Sequence, residues 1–413
     1  MTLSEELSWR GFINQTTIKD LSWLDQTEPI SFYFGVDPSA DSMTIGHLTG
    51  GMLARHLTKH GHKAFMLVGG ATGMIGDPDG KSQERNLLTK EEINLNKEKI
   101  KSQMLKVCDG QDVTAVDNYD WFKDMNYLNF LRDIGKHVPL SQMLGREFVQ
   151  TRLDGSGISY AEFSYALIQA YDFYYLYKEN GVSLQICGGD QWGNSIAGVD
   201  LIRRLTGKEA NVLSTPLIIN KATGVKFGKT EAGAVWLDEA KTSATQFYQF
   251  WINVDDEGVE EYLKIYTELT KEQIESVLAE SQQSPQKRIA QKLLAKEVTT
   301  LVHGRDKAKL AENVTAFLTG SRPLSEADDD VLKAMALEIP VVDANRSESL
   351  LGILVKAGLA KSNSDGRQLI NGSAITIDSS VIKSFDLPAA IGPGLHLLRR
   401  GKAYKDSALV HLH

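Results

Sequence analysis

Lys226-Phe-Gly-Lys-Thr230 sets two cationic side chains three residues apart, with a hydroxyl beside the second and with Gly224, Ala232 and Gly233 loosening the loop around them. Such a loop suits a mobile clamp that neutralises charge developing on transferring phosphates. A second segment of the same character lies far upstream. There Asp37-Pro-Ser39 follows an apolar run containing Gly35, and Thr44-Ile-Gly46-His47 opens a helical pattern. Small residues at such a turn let the backbone approach phosphate, and Ser39, Thr44 and His47 are expected to face it. Taken singly, the first loop reads equally as a solvated basic turn and the second as an ordinary strand-to-helix connection. Their weight comes from being paired.

Three further segments would supply a substrate pocket. The glycine-dense run from Val68 to Lys81 carries in Asp77 a carboxylate able to receive an ammonium group. Tyr165, Gln169 and Asp172 fall at i, i+4 and i+7 of one helical pattern and so share a face. Among Phe163, Leu167, Phe173 and Leu176 that polar stripe needs partners, because buried polar groups are costly when unpaired. Leu184-Gln-Ile-Cys-Gly188-Gly-Asp190-Gln191-Trp-Gly-Asn194 joins a strand to a helix through two glycines, which places Asp190 and Gln191 at a strand's carboxyl end.

The elements that hold these residues alternate. Ile30 to Val36 reads as a buried strand, Gly46 to His60 as a helix, and Ala64 to Val68 as a strand. Thr89-Lys-Glu-Glu92 is a capping box for a helix to about Val107, and a short strand follows near Val113 to Val116. Mixed helical segments run through Arg146. A long helix spans Tyr160 to Lys178, stopped by Asn180-Gly181; a strand covers Leu184 to Cys187 and a helix Asn194 to Leu205. This alternation predicts an α/β, Rossmann-type parallel sheet over residues 1–240. An α-helical domain is expected over 241–320, with a capping box at Thr270 to Gln273 and with Ser284-Pro285 starting a helix that ends at Gly304. The acid-rich stretch 321–345 reads as a linker, and 346–413 as a small α+β module.

The 413 residues, 42% hydrophobic and 24% charged, suffice for two or three cored domains. No apolar run approaches the roughly 18 residues of a spanning helix, and Glu5, Glu6, Asp20 and Asp25 occupy the region where a signal peptide would be basic and then apolar. A cytoplasmic protein with no membrane partner is expected. Cys108 and Cys187 lie far apart without a Cys/His group around them, which supports neither a disulfide framework nor zinc. The net charge of −8 argues against a nucleic-acid binder over its whole surface, yet basic residues outnumber acids from Glu348 onward. RNA contact should therefore be local.

Thr44-Ile-Gly-His47 and Lys226-Phe-Gly-Lys-Thr230 resemble the two signatures of class I aminoacyl-tRNA synthetases, written HIGH and KMSKS. With the Ala-Thr-Gly-Met-Ile-Gly-Asp-Pro and Gly-Gly-Asp-Gln-Trp-Gly-Asn runs, the chain closely resembles bacterial tyrosyl-tRNA synthetases from about Tyr33 to near the C-terminus. The resemblance implies that Tyr33 and Asp172 bind the phenol of L-tyrosine, while Asp77, Tyr165 and Gln169 bind its amino group. Gly35, Asp37, Gly46, Gly188, Asp190 and Gln191 would lie on the adenylate and ribose side, Gln191 also touching tyrosine. His47, Lys226, Lys229 and Thr230, with Ser39 and Thr44, would act on the phosphates of ATP, with Mg²⁺ as counter-ion. It further implies transfer of tyrosine to tRNA(Tyr), an S4-type RNA-binding module at 346–413 and a homodimer with its interface in an insertion at about 120–160.

The chain departs from that family at Thr44, which replaces the first histidine, at Ser39 in place of threonine, and at Phe34 and Gly50 beside the ribose site. Slower activation is expected from Thr44. Two other readings compete: a tryptophanyl-tRNA synthetase, and an RNA-binding protein that has kept this fold without its catalysis.

Overall fold

The computed structural model describes residues 1–78, 88–108, 112–145, 147–221, 223–230, 233–401 and 403–413, with all their side chains but those of Gln142, Glu147, Phe148, Lys229 and Thr230. Lys81, Arg146 and Ala232 of the motifs and elements above thus lie outside the described residues. The chain forms two compact units, Met1–Thr242 with Val254–Leu294, and Ser243–Asn253 with Ala295–His413.

The first unit opens with α1 (Leu3–Arg10), β1 (Gln15–Thr16) and β2 (Ser31–Val36), then α2 (Ile45–Lys59), β3 (Lys63–Val68), α3 (Lys90–Cys108) and β4 (Val113–Asp117). Four short helices follow: α4 (Tyr119–Phe122), α5 (Tyr127–Asp133), α6 (Leu140–Leu144) and α7 (Glu147–Leu153). The long α8 (Tyr160–Asn180) leads to β5 (Val182–Gly188), α9 (Trp192–Thr206) and β6 (Asn211–Thr215), and a hairpin of β7 (Lys229–Thr230) and β8 (Gly233–Ala234) comes after.

Six strands form one sheet in the order β1-β6-β5-β2-β3-β4, parallel throughout except at the β1 edge. From β2 the chain winds outward through β3 and β4, then crosses to β5 and β6 on the other side. The strand order therefore reverses between β2 and β5, and ligands bind in the crevice outside the carboxyl ends at such a point. Alternation sorts the strand side chains: Phe34 of β2 meets α2 at Gly50, whereas Tyr33 packs with Phe173 and Leu176 of α8. Helix α8 starts on a Ser159–Glu162 capping box and stops at Gly181, whose φ of 68° suits glycine.

Helices α10 (Ala244–Ile252), α11 (Val259–Tyr266), α12 (Lys271–Gln283), α13 (Ile289–His303) and α14 (Arg305–Leu318) come next. The helices expected as one domain over 241–320 divide between the units, α11 and α12 belonging to the first and α10 and α14 to the second. The buried Arg10 explains the attachment of α11, since its guanidinium donates to the carbonyls of Lys264, Thr267 and Leu269 at 2.8, 3.1 and 2.9 Å. Proline 285 opens a short 3₁₀ turn instead of α13, because Arg288 is left-handed at φ 50° and interrupts the helix before Ile289.

Residues 321–345 correct the expected linker. They contain α15 (Asp329–Glu338) and β9 (Val341–Ala344). The acids that suggested a linker serve the helix start: Asp328 is its N-cap and Asp329 and Asp330 fill its first turn, while Val331 and Met335 are buried. The chain ends in α16 (Leu350–Lys356), α17 (Asn363–Asn371), β10 (Ile375–Ile377), β11 (Ser380–Val381), β12 (Gly394–Arg400) and β13 (Ser407–Leu412). Its sheet, ordered β11-β10-β12-β13-β9, buries Leu398 and Val410 with α16 and α17 on one face, and Leu397 and Leu409 with α14 and α15 on the other. This is the small α+β module expected at the C-terminus.

Candidate active site

The crevice between β2 and β5 has a buried half and an exposed half. In the buried half, Asp172 of α8 is 2% exposed. Its Oδ1 accepts from Trp121 Nε1 at 2.9 Å and its Oδ2 from Asn118 Nδ2 at 3.1 Å. Burial pushes its carboxyl up to about 8 against the pull of these two donors. Asn118 Nδ2 also reaches Thr72 Oγ1 at 3.0 Å, which donates to Asp37 Oδ1 at 2.6 Å; Tyr165 Oη donates to Asp37 Oδ2 at 2.8 Å. Trp121, Asp172, Asn118, Thr72, Asp37 and Tyr165 thus form one hydrogen-bonded chain along the pocket wall. Gly69 makes room for it, since a Cβ there would lie 2.1 Å from Asp37 Oδ1 and 2.2 Å from Thr72 Oγ1, and Gly70 makes room for Asp117 in the same way.

Tyr33 Oη, Gln169 Oε1 and Gln185 Oε1 are buried with no hydrogen-bond partner among the described residues. Tyr33 and Gln185 are register neighbours on β2 and β5 and project from the same face of the sheet. Burial and the neighbouring Asp172 raise the Tyr33 phenol well above its ordinary value, so it remains a donor. Each such orphan typically costs about 1–3 kcal/mol, which a polar ligand would relieve. Nearby, Gln191 Nε2 donates to Asp77 Oδ2 at 2.5 Å, and Gln191 Oε1 accepts from Asn194 Nδ2 at 3.3 Å.

The exposed half joins the two phosphate-type segments. Ile45 N donates to Val235 O, Leu237 N to Met43 O, and Thr44 bridges Trp236. Gly228, at φ 84°, passes so near the start of α2 that a Cβ would lie 3.2 Å from Ile45 and 3.6 Å from Gly46 N. Phe227 anchors the loop by stacking on Tyr262 of α11 at 4.2 Å. Lys226 Nζ, 48% exposed, lies 3.1 Å from Asp190 Oδ2. His47 Nδ1 accepts from the Thr44 backbone N–H at 3.0 Å, which leaves Nε2 to carry the proton of the neutral ring. Burial and then the charge of Lys226 lower its pKa to about 4, Asp190 opposing. Ser39, Gly35 and Gly46 are solvent-exposed at this edge, and Gly188 closes β5 beneath Asp190. The side chains of Lys229 and Thr230 lie outside the described part.

Phe34 and Gly50 form a unit. A Cβ on Gly50 would sit 2.5 Å from the Phe34 ring, so the ring occupies the space a side chain on α2 would need. Sequence reasoning missed Asn118, Thr72 and Gln185 and gave Trp121 no part in the pocket. Trp121 stacks on Tyr175 at 4.5 Å while bonding Asp172, and Phe122 and Phe130 pack on Tyr171. Tyr127, between Phe122 and Phe130 in the chain, is exposed. Asn118-Tyr-Asp-Trp121 directly follows a strand's carboxyl end, the one signal that could have found the pair.

The family model of the class I tRNA synthetases (W and Y) matches residues 25–319. A tyrosine–tRNA ligase of Bacteroides thetaiotaomicron is 42% identical, over 97% of this chain and 98% of the relative. Tyrosine–tRNA ligase 2 of Bacillus cereus is 41% identical over the full length of both. Among solved structures, a C-terminally truncated mitochondrial tyrosyl-tRNA synthetase of Aspergillus nidulans superposes with a TM-score of 0.70 at 30% identity, covering 77% of this chain and 94% of that one. With a family model matching most of the chain and full-length relatives above 40% identity, the chain belongs to the class I tRNA synthetases (W and Y), on the tyrosine–tRNA ligase branch.

Proposed function

We propose that this tyrosine–tRNA ligase recognises L-tyrosine in the buried half of the crevice and activates it in the exposed half. The observation that carries the reading is the meeting of an unpartnered Tyr33 hydroxyl with an Asp172 fixed by two donors. The substrate phenol pairs with both. Asp77, Tyr165 and Gln169 receive its ammonium group, and Gln191 holds its carboxylate side. Gln185 adds a buried acceptor beside Tyr33.

ATP enters as its magnesium complex, with Asp37, Gly188 and Asp190 on the adenylate and ribose side and Gly35, Gly46 and Ser39 leaving room for it. The tyrosine carboxylate attacks the α-phosphate in line; the bond to the β-phosphate oxygen breaks and pyrophosphate leaves. No protein group is acylated. Neutral His47 donates from Nε2, its orientation set by Thr44, while Lys226, Lys229 and Thr230 stabilise the leaving phosphates. A terminal ribose hydroxyl of tRNA(Tyr) then takes the tyrosyl group from the adenylate, and AMP leaves.

The C-terminal module serves as the RNA contact, and charging takes place in the cytoplasm. No helix among the described residues is long and apolar enough to cross a membrane. A homodimer is supported by the exposed Tyr127, Leu128, Leu140, Leu153 and Tyr160 between residues 120 and 160, with Leu128 71% exposed. Pyrophosphate exchange with tyrosine and tryptophan side by side tests the reading. Exchange with tyrosine is expected; exchange with tryptophan alone would overturn it.

A further inference from the structure

Away from the crevice, β13 runs into His411-Leu412-His413. Side chains two apart on a strand share a face, so both imidazoles project together. On the parallel neighbour β9, Asp343 is the register partner of His411 and joins them on that face. Asp343 Oδ1 lies 3.4 Å from His411 Nδ1 and 3.2 Å from His413 Nε2, and one donor atom from each of the three residues lies within 4.8 Å of the others.

Ligands held about 2.0–2.2 Å from a tetrahedral ion are about 3.3–3.6 Å apart. Two edges of such a triangle are thus already close to ligation spacing, and a side-chain rotation closes the third. Two imidazoles and a carboxylate form a donor set that suits first-row divalent ions and is foreign to magnesium or calcium. We propose that Asp343, His411 and His413 bind one divalent first-row transition-metal ion, Zn²⁺ by preference, with water completing its coordination. The ion would clip β13 to β9. The sequence reading found no zinc site because it looked around the cysteines, and a His-x-His pair is silent until the neighbouring strand supplies its third ligand.

The test titrates ZnCl₂ into the chelator-stripped full chain, free of any histidine tag, by calorimetry, with circular dichroism to check folding. One equivalent should bind. His411→Ala and His413→Ala should each weaken binding by at least about tenfold. His396→Ala is the control, since its two ring nitrogens already face Asp378 at 2.6 Å and the Gly392 carbonyl at 3.0 Å, and it should leave binding unchanged. Absence of zinc binding, or binding that persists in both the His411→Ala and His413→Ala chains, overturns the proposal and leaves the cluster as an ion pair only.

Discussion

The two halves of the crevice are built on opposite principles. The buried half fixes its polar atoms before any ligand arrives: Asp172 is held at both oxygens, and the chain from Trp121 to Tyr165 runs from side chain to side chain without a gap. The exposed half presents Lys226, 48% exposed and paired among the described residues only to an Asp190 that is itself 42% exposed, on a loop anchored by Phe227. On the proposed reading a preorganised pocket discriminates, because a ligand lacking a hydroxyl leaves the buried Tyr33 hydroxyl unpartnered, an effect that reaches about 10⁵ in favourable sites. A cation at the water's edge discriminates little, but it follows charge as it moves onto the leaving phosphates. Recognition and rate should therefore fail separately.

The largest expected effect is on the exposed side. Lys226→Ala should slow adenylate formation by about 100- to 1,000-fold in pre-steady-state measurements while tyrosine affinity holds. Next comes the wall of the pocket. Trp121→Phe keeps a ring on Tyr175 but removes one donor from Asp172, and kcat/KM for tyrosine should fall by about 5- to 150-fold, the span of about 1–3 kcal/mol for an unsatisfied buried acceptor. An unchanged kcat/KM would mean that the wall does not position Asp172.

Gly50→Ala probes the support between the halves. It should destabilise the fold by about 1–3 kcal/mol in urea titrations, since the new methyl meets the Phe34 ring, and by less in combination with Phe34→Leu.

A slope against pH probes Asp172 itself. Asp172 titrates at about 8 when folded, against an ordinary 3.8. Between those values the folded chain holds a proton that the unfolded chain has released, so the contribution of Asp172 to stability is present below about pH 4 and is lost as pH rises toward about 8. Asp172→Asn should flatten the loss of stability between pH 5 and pH 8; an identical slope in both chains contradicts the shift.

Much of this was legible in the sequence where spacing alone carries information. Tyr165, Gln169 and Asp172 announced a polar stripe because helical periodicity is local, and the alternation of strands with helices gave the parallel sheet. Asn118 and Trp121 were not legible, since their function is defined by Asp172 on another element; without that partner an aromatic near a loop reads as packing. Gln185 was hidden inside an apolar strand, and only the register with Tyr33 gives it meaning. The same dependence on context misled the reading of 321–345, where acids that look like a solvated linker cap a helix.

The separation of recognition from rate is tested most directly by the ratio of tyrosine-dependent to phenylalanine-dependent pyrophosphate exchange in Lys226→Ala. Both rates should fall together, leaving the ratio within about twofold of the parent, as expected when an interaction made only in the transition state is lost. A ratio that collapses by tenfold or more, at about 1.4 kcal/mol per decade, would show that Lys226 takes part in choosing the amino acid and would contradict the account.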